Sequence, residues 1–285
     1  MAYTFTINDL ASHDKAVWCP GCGDFAMLMA VKKALIDLKL EPHKVMMVSG
    51  IGCGSKFPHL LSTYGFHGIH GRTMPFAAGT KLANHDLTVI ITAGDGDTYG
   101  IGGNHYIHGL RRNLDITLLV QNNMVYGLTK GQTSPTSQVG FVTKSSPHGN
   151  VEDPINPLLL ALASGATFVA RTFVGEMAHM TDIVRRAIAH RGSSVVDILM
   201  PCVSFNKLNT LQWFRERVYK MEDHDASDLT LAAKRALETE KIPLGVFYEV
   251  QKPTLWEQLP QIRDVPLVKQ DISSVDITKS MEHFV

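Results

Sequence analysis

Four cysteines stand in the 285-residue chain, in the spacing C-x2-C-x30-C-x148-C. The first two, Cys19 and Cys22, frame Pro20-Gly21 in the stretch WCPGCGDF. Two thiolates two residues apart suit Zn2+, an iron–sulfur cluster or a redox dithiol. The spacing alone leaves all three open, and the lack of a second C-x2-C counts slightly against zinc. Cys53 and Cys202, taken singly, read as buried core thiols.

A second set consists of oxygen donors. Gly94-Asp95-Gly96-Asp97 is followed, after the twenty-five residues Asp97 to Gln121, by Asn122-Asn123. The dinucleotide fingerprint fails because Tyr99 stands where the third glycine is needed, and no G-K-[ST] makes a Walker loop. A carboxylate at Asp95 and an amide oxygen at Asn123 are hard ligands suited to Mg2+, which keeps water and phosphate oxygens as its other ligands. Glycines beside Asp95, with a helix start behind them, admit backbone N–H groups to a diphosphate. Each half alone reads as a turn; the pair, each after a strand, points to a Mg2+–diphosphate clamp.

Elements must bring these residues to one place. Apolar runs at KVMMVSG, LTVIITAGDGD, DITLLVQNN, ATFVART and SSVVDILMPC read as buried strands. Helical spacing covers 25–40, where Asp24 is the expected cap, then the Gly-rich stretch YGIGGNHYIHGLRRN, and 176–190. The alternation implies an α/β fold, a mostly parallel sheet with helices on both faces. SGIGCGS, AGDGDTYG, QNNMVYG and MPCVSFN each follow a strand, so all belong at the carboxyl edge, where open α/β sheets bind ligands. We expect one domain over 1–205. A helical extension over 206–285, containing TLQWFRERVYKM and DLTLAAKRALET, is expected to pack on it or on a partner.

Composition narrows the function classes. Hydrophobic residues make up 45% and charged residues 19%, with zero formal net charge, so nothing favours nucleic acid or an anionic membrane. The first residues show no basic and apolar leader, and no run is long enough to span a bilayer. A cytoplasmic protein is expected, and in that reducing compartment a structural disulfide is disfavoured.

The GDG and NN spacing resembles the binding motif of thiamine-diphosphate enzymes. With WCPGCG, GIGC, GRTMPFAAGTKLAN, NNMVYGLTKGQTSPTS and PLGVFYEVQKPTLWEQ in order, nearly the whole chain resembles the beta subunit of the 2-oxoacid:ferredoxin oxidoreductases. The resemblance implies a thiamine-diphosphate-binding fold, and thiamine diphosphate, Mg2+ and one 4Fe-4S cluster as cofactors. Asp95, Asn123 and the Val125 carbonyl match its Mg2+ ligands. Gly96, Asp97, Gly127 and Leu128 match the diphosphate contacts. Ile51, Gly52, Cys53 and Gly54, with Ile69, His70, Gly71 and Arg72, match further cofactor contacts. It selects the cluster over zinc and makes Cys19, Cys22, Cys53 and Cys202 its ligands.

The activity so implied is oxidative decarboxylation of a 2-oxoacid with coenzyme A to acyl-CoA and CO2, electrons leaving through the cluster to ferredoxin. Lys56 and Lys130, in site loops, are candidates for the distal carboxylate of 2-oxoglutarate; pyruvate or a broad range of 2-oxoacids is the alternative. A non-catalytic iron–sulfur or zinc subunit is the rival from another class, and the intact clamp counts against it. One sheet's worth of strands leaves no room for the carboxylate that activates the cofactor. It is expected on a separate alpha subunit, in an assembly of two alpha and two beta chains.

Overall fold

The computed structural model of the chain describes residues 5–273 and 275–284. Its elements, in order, are α1 (Gly23–Asp37), β1 (Val45–Ser49), α2 (Phe57–Leu60), β2 (Tyr64–His67), α3 (Thr73–Ala83) and β3 (Thr88–Gly94). A π-helical turn, Gly96–Ile101, leads into α4 (Gly103–Leu110), β4 (Ile116–Asn122), α5 (Pro157–Ala163), β5 (Phe168–Phe173), α6 (Met177–Ala189) and β6 (Ser193–Leu199). Then come α7 (Leu211–Arg215), β7 (Val218–Lys220), α8 (Leu229–Ala236), β8 (Ile242–Glu249) and the short α9 (Thr278–Met281).

The eight strands form one sheet in the order β2-β1-β3-β4-β6-β5-β8-β7, parallel except where β8 meets β5. Strands β4 and β6 are buried at every residue, because helices cover both faces and no side can be polar. Leu119 and Ile90 point into the core beneath α1 and α6, while Leu118, Val120 and Ile91 point into the core beneath α3, α4, α5 and α8. That alternation is the two-residue period of a pleated strand. Each such side chain contributes roughly 1.5–3 kcal/mol on burial.

The expected strands and the two-sided covering are present. Three local expectations differ. Asp24 does not cap α1: the N-cap is Cys22, without a side-chain cap bond, and Asp24 lies buried in the first turn. The segment after 205 is not helical throughout, since β7 and β8 join the sheet. Its helix α8 is capped by Asp228, whose carboxylate accepts from the Thr230 and Leu231 N–H groups. Strand β2 had no sequence signature, because all four of its residues are exposed at the sheet edge. No helix among the described residues is long and apolar enough to cross a membrane.

Strands β1, β3, β4 and β6 are neighbours and parallel, so their carboxyl ends open on one edge. The start of α1 lies at that same edge: a Cβ on Gly23 would stand 2.9 Å from Met200, the residue after β6. The helix ends at Leu38–Lys39, where Lys39 takes φ 54° and the Leu40 N–H reaches the Leu35 carbonyl at 3.0 Å.

Candidate active site: a cleft shared by oxygen and sulfur ligands

A cleft opens at this edge, where open α/β sheets bind ligands. Its walls include Ile51, Gly52, Cys53, Gly54, His70, Asp95, Gly96, Asp97, Asn123, Val125, Gly127 and Leu128. Those expected residues are therefore assembled from four separate loops. Ile69, Gly71, Arg72, Lys56 and Lys130 do not line it. Lys56 borders a neighbouring groove with Asp14, Lys15 and His59, and Lys130 is exposed at φ 78°. A lysine's sequence neighbours do not decide which way its loop turns it.

Asp95 directly follows β3 and is buried. One carboxylate oxygen accepts from Ser134 Oγ at 2.5 Å and from Thr136 Oγ1 at 2.6 Å. Burial pushes its pKa up to about 6, against the lowering effect of those two hydroxyls and the Gly96 N–H; the Asp197 charge raises it further. Behind it lies an ion pair with both side chains almost wholly buried. Asp197 accepts from Arg171 Nε at 2.9 Å, and its other oxygen accepts from Asn122 Nδ2 at 2.9 Å. Asn122 Oδ1 lies 3.0 Å from Thr136 Oγ1, whose single proton it shares with Asp95, so the pair reaches Asp95 by way of Asn122 and Thr136. Ser134, Thr136 and Asp197 carried no sequence signal of this role. The hydroxyls lie 39 and 41 residues beyond Asp95.

Just past the end of the neighbouring strand β4, Asn123 closes its own turn: Oδ1 accepts from the Val125 N–H at 3.2 Å. Gly96 packs under Tyr126, which donates from its hydroxyl to the Gly96 carbonyl at 3.1 Å. A Cβ at Gly96 would stand 2.1 Å from the Tyr126 ring, so the motif glycine is a packing requirement.

Asp97 also braces the loops around the cleft. Its carboxylate is fully buried, and one oxygen accepts from the Ile51 N–H at 3.0 Å, the Gly71 N–H at 2.8 Å and His70 Nδ1 at 2.5 Å. Through that oxygen it ties the loops at 51 and 71 to the clamp, while Oδ2 has no partner. Arg72 Nη1 donates to the Gly71 carbonyl at 3.2 Å, closing the same corner, while Ile69 is exposed.

All four cysteines are free thiols and are brought together at the same edge. Cys19 and Cys22 share a turn, with the Cys22 N–H on the Cys19 carbonyl at 3.0 Å. Ser204, two residues beyond Cys202, donates to Cys19 Sγ at 3.1 Å. A Cβ on Gly127 would lie 3.4 Å from Cys202 Sγ and 3.8 Å from Cys53 Sγ. Trp18 Nε1 holds the Cys53 carbonyl at 2.8 Å. Burial, then the nearby charges of Asp24, Cys202 and Cys19, pushes the Cys53 thiol up to about 11, with Lys56 pulling the other way. Burial and Asp24 raise Cys22 further still.

Both donor sets have the chemistry for an inorganic group. A buried carboxylate held near pKa 6, beside an asparagine and a backbone carbonyl, fits Mg2+. Among the described residues no three His, Cys, Asp or Glu side chains close into a single-ion site. Mg2+ needs no such set when one carboxylate is joined by amide and carbonyl oxygens. Zinc would need it, at about 2.3 Å from each sulfur. The four free thiols have the chemistry for a 4Fe-4S cluster, which takes one thiolate on each iron.

Comparisons with known proteins agree with the geometry. Residues 43–198 match the family model "Thiamine pyrophosphate enzyme, C-terminal TPP binding domain". Residues 202–264 match the family model for the C-terminal part of the pyruvate ferredoxin oxidoreductase beta subunit. The first match and the edge cleft define a thiamine-diphosphate-binding α/β protein. The chain is 46% identical, over 91% of its length and 87% of the relative's, to 2-oxoacid:ferredoxin oxidoreductase 1, subunit beta, of Aeropyrum pernix. It is 50% identical to 2-oxoglutarate oxidoreductase subunit KorB of Mycobacterium tuberculosis, over 70% of this chain and 53% of that one. A solved 2-oxoglutarate:ferredoxin oxidoreductase from Magnetococcus marinus, with 2-oxoglutarate, coenzyme A and succinyl-CoA bound, superposes with a TM-score of 0.91 at 38% identity, covering 98% of this chain and 96% of that one. The chain belongs to the beta subunits of the 2-oxoacid:ferredoxin oxidoreductases.

Proposed function

We propose that the chain binds thiamine diphosphate, Mg2+ and one 4Fe-4S cluster in this cleft. We further propose that, with an alpha subunit, it oxidises 2-oxoglutarate and coenzyme A to succinyl-CoA and CO2. The observation that carries this reading is Gly127: the residue two beyond Val125 lies against the sulfurs of Cys53 and Cys202. Electron-accepting and cofactor-holding groups thus share one wall.

Asp95, Asn123 and the Val125 carbonyl hold the Mg2+; backbone groups around Gly96, Gly127 and Leu128 receive the diphosphate. When bound, thiamine diphosphate supplies the carbanion that attacks the keto carbon of a 2-oxoacid. Asp97 and His70 brace the loop that covers it. Cys19, Cys22, Cys53 and Cys202 would hold the cluster, which would supply one-electron transfer towards ferredoxin. The carboxylate that activates the cofactor is supplied by the alpha subunit, in a cytoplasmic assembly of two alpha and two beta chains. Residues 206–285 complete the sheet on the other side and offer surface to that partner.

The test is anaerobic co-purification with the alpha subunit, analysis for iron, sulfide and released thiamine diphosphate, and 2-oxoacid- and coenzyme A-dependent viologen reduction. About one zinc and no sulfide would defeat the cluster. Activity of this chain without a partner would defeat the shared site. Substrate preference is tested by kcat/KM for 2-oxoglutarate against pyruvate in wild type, Lys56→Ala and Lys130→Ala. A preference unchanged in both variants removes these rim lysines from substrate selection.

A further inference from the structure

Gln121 is the last residue but one of β4 and is 2% exposed. Neither its amide oxygen nor its amide nitrogen has a hydrogen-bond partner. A buried amide left so is costly, and a ligand that completes it explains why it is kept. Gln121 lines the cleft.

Its position identifies the part of the cleft it serves. Side chains alternate along a strand, so Gln121 shares the face of Leu119, which packs into the core beneath α1. Cys22, at the start of α1, and Cys53 pack against that same core. Asn122, one residue on, turns to the other face and to Asp197. The Gln121 amide therefore lies on the cysteine side of the sheet edge. It rests on Gly54, the residue after Cys53: a Cβ there would come within 1.7 Å of its oxygen. The missing side chain at Gly54 is what lets the amide stand beside the Cys53 loop.

Charge then selects the partner. The other unpartnered buried polar atoms of this cleft are Asp24 Oδ1 and Asp97 Oδ2, which as carboxylate oxygens accept and do not donate. Gln121 Nε2 is the one donor among them. Four thiolates with inorganic sulfide make an anionic, acceptor-rich group, and hydrogen bonds to its sulfurs set its potential. From this geometry, and resting on the cluster reading above, we infer that the Gln121 amide donates a hydrogen bond to a sulfur of the cluster. It acts as a positioning residue that stabilises the reduced form.

The experiment uses the full chain co-purified anaerobically with its alpha subunit, in wild type, Gln121→Met and Gln121→Leu. Iron and sulfide content are measured first, then the cluster's midpoint potential by EPR-monitored titration, and exchangeable protons coupled to the reduced cluster by ENDOR in H2O and D2O. We expect unchanged iron and sulfide, a midpoint moved to more negative values in both variants, and the loss of one exchangeable proton coupling. An unchanged midpoint and unchanged coupling would overturn the inference. So would a weakened affinity for thiamine diphosphate at an unchanged midpoint, because the amide would then belong to that cofactor. Loss of the cluster from both variants would also overturn it, since one hydrogen bond is not a ligand. Absence of sulfide from the wild type would instead defeat the cluster reading itself.

Discussion

Asn206 joins Cys202 to Asn123. Its backbone N–H bonds the Cys202 carbonyl at 3.1 Å, and its side-chain Nδ2 donates to the Asn123 carbonyl at 3.1 Å. Its Oδ1 accepts from the N–H groups of Leu208 and Asn209 at 3.1 and 2.9 Å. One buried residue therefore sets the spacing between Cys202 and Asn123, the proposed sulfur and oxygen ligands. Replacing it leaves several buried groups unpaired. Asn206→Ala is expected to cost about 2–3 kcal/mol in thermal or denaturant unfolding. It should also weaken binding of thiamine diphosphate and lower cluster content together. Loss of one without the other would show that the two loops are not coupled through Asn206.

Removing the clamp's carboxylate separates binding from folding. In Asp95→Ala, affinity for thiamine diphosphate with Mg2+ is expected to fall at least about 100-fold by calorimetric titration, as for a lost charged ligand. The cofactor-free chain should unfold no earlier than wild type, because a buried carboxylate disfavoured by burial is removed. Retained affinity would exclude Asp95 as a Mg2+ ligand.

The Arg171–Asp197 pair carries the largest expected stability effect. Arg171→Met leaves a fully buried carboxylate uncompensated and should cost about 3–5 kcal/mol in denaturant unfolding. The double variant Arg171→Met with Asp197→Leu is expected to recover much of that loss, since no buried charge remains. Equal destabilisation of single and double variants would mean that the pair's hydrogen bonds, including that to Asn122, matter more than its charge.

His190 makes stability depend on pH. Burial lowers its pKa, against the raising effect of Glu249 and Asp115. Its ring meets Thr167 Oγ1 through Nε2 at 2.9 Å and Gln251 Nε2 through Nδ1 at 3.3 Å, so a second ring proton has no acceptor. Above the unfolded value of about 6.5 both states are neutral and the stability is complete. As pH falls below it the unfolded chain takes up the proton first, and stability is lost until the folded pKa is passed. His190→Gln should flatten this part of the unfolding-midpoint profile below about pH 6.5. An unchanged slope there would assign the dependence to other groups, His179 first among them.

Much of the site was legible because its residues are strand ends. A buried strand shows as a continuous apolar run, and the polar residues that stop it, Asp95, Asn123 and Cys202, fall at the ligand-binding edge of a parallel sheet. Strand β2 was not legible, since an exposed edge strand of four residues has no apolar pattern. Asp97 was legible as a site residue, but the three loop donors on its Oδ1 were not, because they come from residues 26 to 46 positions away.

By itself, the sequence determined which chemistry is present: four thiols, one clamp carboxylate with its asparagine, and the strands that end in them. Local periodicity and residue type suffice for that. Tertiary structure alone decided which groups meet. Ser134 and Thr136 reach Asp95, Asn206 reaches Asn123 across 83 residues, and Gln121 is left without a partner beside Gly54. Lys56 and Lys130, close in sequence to site residues, are not among the residues that line the cleft. The reason is physical: hydrogen bonds between loops depend on strand order and loop direction. Those follow from packing the sheet against helices on both faces and are written at no single position.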